Sequence, residues 1–138
     1  MPEFPVDLAY LATCEDALTT DIRLRAKNAS KCGLTKQYSI IENGTEVGYV
    51  ALDWWPLDQC SDLVLYEIFV PQEFRHRGVG SRTLTEVEKL ARSHGYSRVL
   101  LIARPLEDYP KERLVAWYQK HGFSAVPHPS GDAMAKNV

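Results

Sequence analysis

The chain has 138 residues, of which 45% are hydrophobic and 25% charged, and a formal net charge of −2. That length suits one compact domain with its own core, and the near-neutral charge supplies no overall positive field to recruit nucleic acid or an anionic membrane. Three widely spaced cysteines (Cys14, Cys32 and Cys60), with no C-x-x-C pair, argue against a disulfide framework or a cysteine-based zinc site and for a reducing, cytoplasmic setting.

In chain order, Met1-Pro2-Glu3-Phe4-Pro5 lacks the basic and apolar stretches of a secretory signal, and no apolar run nears the roughly 20 residues that span a bilayer. Residues 16–27 mix Ala17, Leu18, Ile22, Leu24 and Ala26 with charges, as a helix would. Ile22-Arg23-Leu24-Arg25-Ala26 also alternates as a strand would, and both readings stay open. From residue 37 the pattern sharpens. Strands over 37–42 and 47–55 flank Asn43-Gly44, a hairpin turn pair. A loop over 56–62 leads to a third strand over 63–70 that stops at Pro71, completing an antiparallel meander.

After Gly80 the period becomes helical, with Leu84, Val87, Leu90 and Ala91 on one face, and His94-Gly95 ends the helix. The continuous apolar run 99–103 reads as a strand buried on both faces, so strand, helix and strand form a parallel βαβ unit. A second helix over 111–120 ends at His121-Gly122. Residues 123–126 and 133–136 supply two short strands. With no repeat and no linker, a single α+β domain over 1–138 is the expectation.

The segment Arg75-His76-Arg77-Gly78-Val79-Gly80 sits between a strand and an amphipathic helix. A helix start leaves its first N–H groups unpaired and carries partial positive charge, so a phosphate placed there is stabilised. Glycines at 78 and 80 allow close backbone approach, and Arg75 and Arg77 add charged donors at the rim. A Walker A loop needs a lysine after Gly80, and a Rossmann fingerprint needs Gly or Ala where Thr83 stands; neither fits.

Val70 to Gly80 resembles the central signature of the GNAT N-acetyltransferase superfamily, in which a strand leads into [QR]-x-x-G-x-[GA] and then a helix. Trp117-Tyr118-Gln119-Lys120-His121-Gly122-Phe123 is similar to that family's second signature, and the resemblance covers residues 36–138. It implies a mixed central β-sheet splayed in the middle and flanked by helices, with acetyl-CoA as co-substrate in the opening. Backbone groups of Phe69 and Val70 would then pair with the pantetheine arm. Those of Arg75, His76, Arg77, Gly78, Val79, Gly80 and the following Ser81 would hold the pyrophosphate.

Acetyl transfer to an amine needs a neutral amine, donors for the oxyanion and a proton for the leaving thiolate. The resemblance puts Tyr118 beside the CoA sulfur as proton donor, a transfer uphill by about 2 kcal/mol for ordinary phenol and thiol pKa values. Glu67 interrupts an apolar strand and is the candidate base. Strand alternation turns it away from the cleft unless a bulge rotates it. Where many relatives carry an asparagine seven residues before the tyrosine, this chain has Lys111. Asp53, Trp54 and Trp55 form an aromatic and acidic loop suited to a cationic amine. The expected reaction is therefore acetylation of a primary amine on a small molecule or peptide, with no metal, no nucleic acid and no membrane partner; a homodimer stays open. The alternative is a non-catalytic acetyl-CoA sensor or interaction module, which needs neither Tyr118 nor Glu67.

Overall fold

In the computed structural model, residues 5–29, 31–104, 109–129 and 132–138 are described. They form a seven-stranded sheet in the order β1-β2-β3-β4-β5-β7-β6. Strands β1 (Val6–Leu11), β2 (Thr35–Glu42), β3 (Thr45–Asp53) and β4 (Asp62–Phe69) run antiparallel in sequence. Helix α2 (Val79–Ser93) crosses to β5 (Arg98–Leu101), which lies parallel to β4. Helix α3 (Lys111–Lys120) then leads to β6 (Ser124–Val126), and β7 (Ala133–Asn137) inserts antiparallel between β5 and β6.

The hairpin expected at Asn43-Gly44 forms with both residues at positive φ, 49° and 80°, as a two-residue turn between twisted strands requires. Alternation then sorts the side chains. Tyr38, Ile40, Val50, Leu52, Leu63 and Leu65 meet Leu84, Val87 and Ala91 of α2 and Tyr118 of α3 on one face. Tyr49 and Ala51 meet Ile22 and Ala26 of α1 (Thr20–Asn28) on the other.

The ambiguous N-terminal stretch is a helix because a distant carboxylate organises its start. Glu46, 3% exposed, accepts from the backbone N–H groups of Leu18 (2.8 Å) and Thr19 (2.9 Å), and from the hydroxyls of Thr19 and Ser39 (2.6 Å each). The strand β1 had no counterpart in the sequence reading. It lies at the sheet edge, its residues 7–10 are not buried, and its apolar pattern is weak.

Two features of β4 position the site. First, Asp62 and Arg98 form a bidentate ion pair (2.9 Å for both contacts) that clamps the start of the parallel pairing. That pairing ends at Leu65↔Leu101, so β4 beyond Leu65 has β3 on one edge and no strand on the other among the described residues. Second, Leu52 pairs with Leu65 and Ala51 with Glu67, leaving Tyr66 as an extra, bulged residue.

Candidate active site

The segment after β4 folds as a short 3-10 turn (Gln72–Phe74) followed by two left-handed residues, His76 (φ 65°) and Gly78 (φ 76°). Its carbonyls are held from behind. The Arg82 guanidinium donates to the carbonyls of Arg77 (2.8 Å) and Gly78 (3.2 Å), and Arg75 Nε donates to the Val70 carbonyl (2.7 Å). Glu42, 6% exposed at the end of β2, binds both Arg77 (2.7 Å) and Arg82 (2.6 Å).

The first intrahelical bond of α2 runs from Arg82 N to Gly78 O, so the N–H groups of Val79, Gly80 and Ser81 have no acceptor among the described residues. They border a cleft of ≈ 330 Å³, also lined by Ile68 of β4, by Val70 just after it, and by Leu114 and Trp117 of α3. The sequence reading places phosphate-holding groups in this segment, and the geometry departs from that reading at two points. Arg75 and Arg77 are engaged in bracing the loop, because a buried Glu42 carboxylate and the Val70 carbonyl both require partners. Gly80 is demanded by packing: a Cβ there would lie 2.9 Å from Trp117 Cζ2 and 3.2 Å from Cη2.

Ser81 and His121, forty residues apart, meet with Oγ and Nε2 2.7 Å apart, and His121 Nδ1 lies 2.8 Å from the Trp117 carbonyl. A carbonyl only accepts, so Nδ1 carries a proton and donates it to the Trp117 carbonyl, while Nε2 shares a hydrogen bond with the Ser81 hydroxyl. The pair ties α3 to the start of α2, a contact the sequence reading did not contain.

Tyr118 is 4% exposed, against Trp117 (ring centroids 5.0 Å apart) and Phe123 (5.6 Å). Its hydroxyl has no hydrogen-bond partner among the described residues, and burial pushes its pKa well above the ordinary phenol value. Glu67 lies on the opposite face. The bulge at Tyr66 breaks the alternation, so Leu65 joins the α2 side while both Tyr66 and Glu67 line a cleft of ≈ 590 Å³ beside α1. There Glu67 pairs with Arg25, whose guanidinium stacks 3.7 Å from the centroid of the Phe69 ring.

The loop residues Asp53, Trp54 and Trp55 are not brought to this site. Trp54 donates to the Tyr38 hydroxyl (3.1 Å) and lies edge-on to His94 (4.9 Å), at the far end of α2 from Gly78. Fifteen helical residues separate the two ends, about 22 Å at 1.5 Å per residue. Asp53 accepts from Thr35 Oγ1, and Trp55 is 38% exposed beside it. Antiparallel pairing puts the end of β3 at the start of β4, opposite the splay, so this loop and Glu67 do not line one cleft. Lys111 pairs with Asp132 (3.0 Å). Among the described residues, no group of three or more His, Cys, Asp or Glu side chains could hold a metal ion, and no helix is long and apolar enough to cross a membrane.

The site thus combines a mixed sheet parted at its central parallel pair with helix-start amides that have no acceptor among the described residues. Residues 35–125 match the acetyltransferase (GNAT) domain family, and the chain belongs to that family and to its class of acyltransferases. No curated protein matches the chain by sequence.

Solved structures share the fold. An acetyltransferase from Thermus thermophilus superposes with a TM-score of 0.71 at 16% identity, covering 100% of both chains. The ribosomal-protein-S18-alanine N-acetyltransferase from Escherichia coli gives 0.65 at 15% identity, over 96% of this chain and 94% of that one. A GNAT family acetyltransferase from Elizabethkingia anophelis with acetyl-CoA bound gives 0.64 at 13% identity, over 100% of both. At these identities the likeness is one of fold.

Proposed function

We propose that the chain transfers the acetyl group of acetyl-CoA to a primary amine of a small molecule or peptide by direct attack, acting as a single domain. The observation that carries this is the edge of β4 from Tyr66 to Phe69, which no strand among the described residues pairs and which lies between the two clefts. The residues present suit the co-substrate. Acceptor-free N–H groups of Val79, Gly80 and Ser81 would hold its pyrophosphate, and the main chain of Phe69 and Val70 its pantetheine arm, as an added strand. When bound, acetyl-CoA supplies the activated acyl carbon.

The chain's own residues then have separate tasks. Glu67, its orientation held by Arg25, takes the proton that the amine loses, directly or through water. Tyr118 delivers a proton to the sulfur as the C–S bond breaks and the C–N bond forms. Its raised pKa keeps the phenol protonated throughout the working pH range and makes early proton transfer uphill, so transfer is late in the step. The hydroxyl, which has no hydrogen-bond partner among the described residues, supports this role, since none of them competes for that proton.

Thiol release measured across amines, aminoglycosides and peptides tests the reading. Tyr118→Phe is expected to lower turnover at least about tenfold. Unchanged turnover removes Tyr118 from the reaction. Absence of acetyl-CoA binding by calorimetry at millimolar concentration overturns the reading as a whole.

A further inference from the structure

The cleft beside α1 carries four charged groups: Asp21 and Arg25 from the helix, Glu67 from β4, and Arg104 from the segment after β5. Arg25 and Glu67 neutralise each other. The other two are uncommitted: neither Asp21 nor Arg104 has an ion pair or side-chain hydrogen bond among the described residues. The Arg104 guanidinium instead lies 4.7 Å from the centroid of the Tyr66 ring, the residue that the bulge turns onto this face. A guanidinium held over an aromatic ring, with no ion pair or side-chain hydrogen bond among the described residues, has N–H donors left to recognise a carboxylate.

We propose that the acceptor is a zwitterion, a small amine that carries its own carboxylate, of the amino-acid type. This rests on the acetyl-transfer reading above and names the substrate class for the same site. Arg104 takes the carboxylate, and Asp21 and Glu67 draw the ammonium toward β4. The ammonium gives one proton to Glu67. Its nitrogen then forms the C–N bond to the acyl carbon while the C–S bond breaks; the sulfur takes its proton from Tyr118, the nitrogen's second proton returns to Tyr118 through water, and Glu67 releases its proton to solvent, leaving the N-acetylated acid and the free thiol. A polycation fits this cleft poorly: two arginines offset its two carboxylates, so the one acid and one arginine without a charged partner among the described residues match a zwitterion, and no net negative charge draws a second cation.

The test uses the full chain, acetyl-CoA and matched amine series: α-amino acids, their carboxamides and the corresponding decarboxylated amines. The free acids are expected to show kcat/KM at least about tenfold above their carboxamides. Arg104→Gln should abolish that preference by raising the KM of the acid, with the KM for acetyl-CoA held. Arg104→Lys should recover part of it, since charge is restored without the planar fork. Arg104 is exposed, and melting curves of both variants check that they fold. Carboxamides, polyamines or C-terminally amidated peptides turned over as well as the acids overturn the zwitterion while leaving acetyl transfer intact. So does a preference that survives in Arg104→Gln. Silence across every amine overturns both.

Discussion

Adding one methyl group at Gly80 separates packing from cofactor contact. The new Cβ would sit 2.9 Å and 3.2 Å from two atoms at the rigid outer edge of the Trp117 indole, so α3 or the ring must move by a few tenths of an ångström. Overpacking of this kind costs about 1–3 kcal/mol. Against it stands the helix preference of Ala over Gly, at most about 1 kcal/mol and less in a first turn. The net expectation for Gly80→Ala is a loss of about 1 kcal/mol, near 4 °C in Tm for a chain of this size. Because Trp117 also lines the cleft, acetyl-CoA should bind about fivefold more weakly, a matching 1 kcal/mol. Thermal melts and calorimetry read both quantities. In a Trp117→Phe background the clashing atoms are gone, and Gly80→Ala should become neutral or stabilising, a coupling of about 1–2 kcal/mol. A Gly80→Ala single variant more stable than its parent would refute the reasoning, since helix preference alone would then govern the position.

Glu42→Gln removes the charge that holds Arg77 and Arg82 and should free the loop carbonyls that Arg82 restrains. Stability is expected to fall by about 2 kcal/mol and acetyl-CoA affinity about tenfold, with kcat at saturation within about twofold. Unchanged affinity would show that the loop holds its shape without the pair. Burial pushes the Glu46 carboxyl pKa up, but the donors from Leu18, Thr19 and Ser39 outweigh it and leave it below the ordinary value. With the native value depressed, its stabilisation is complete above the ordinary carboxylate value and is lost as pH falls through the native one. Glu46→Gln should therefore cost about 2–3 kcal/mol at neutral pH and much less near pH 3, measured by urea unfolding. Equal losses at both pH values would contradict the assignment.

What could be seen in the amino-acid order was whatever is encoded within a few residues. The Asn43-Gly44 turn, the helical spacing of Leu84, Val87 and Ala91, and the apolar run 99–103 depend on neighbours one to four positions away; the turn and the helix formed where expected, and the strand formed at Arg98–Leu101, ending two residues before the run does. The glycine-bearing helix start at Gly78 was legible for the same reason, since unpaired amides at a helix N-terminus follow from the helix itself.

Tertiary structure decided the rest, because the deciding partners are remote in the chain. Thr20 to Asn28 became a helix through Glu46, more than twenty-five residues away from the cap it holds at Thr19. The side on which Glu67 points was decided by a bulge that exists only in the pairing of β4 with β3. Trp54 and Trp55 were separated from the splay by strand direction, while Arg25 and Arg104, unremarkable as single charges in sequence, were brought to one cleft with Glu67 by sheet topology. Local pattern sets which elements form. Which side chains meet depends on register and strand order, and those are settled when the whole sheet closes on its core.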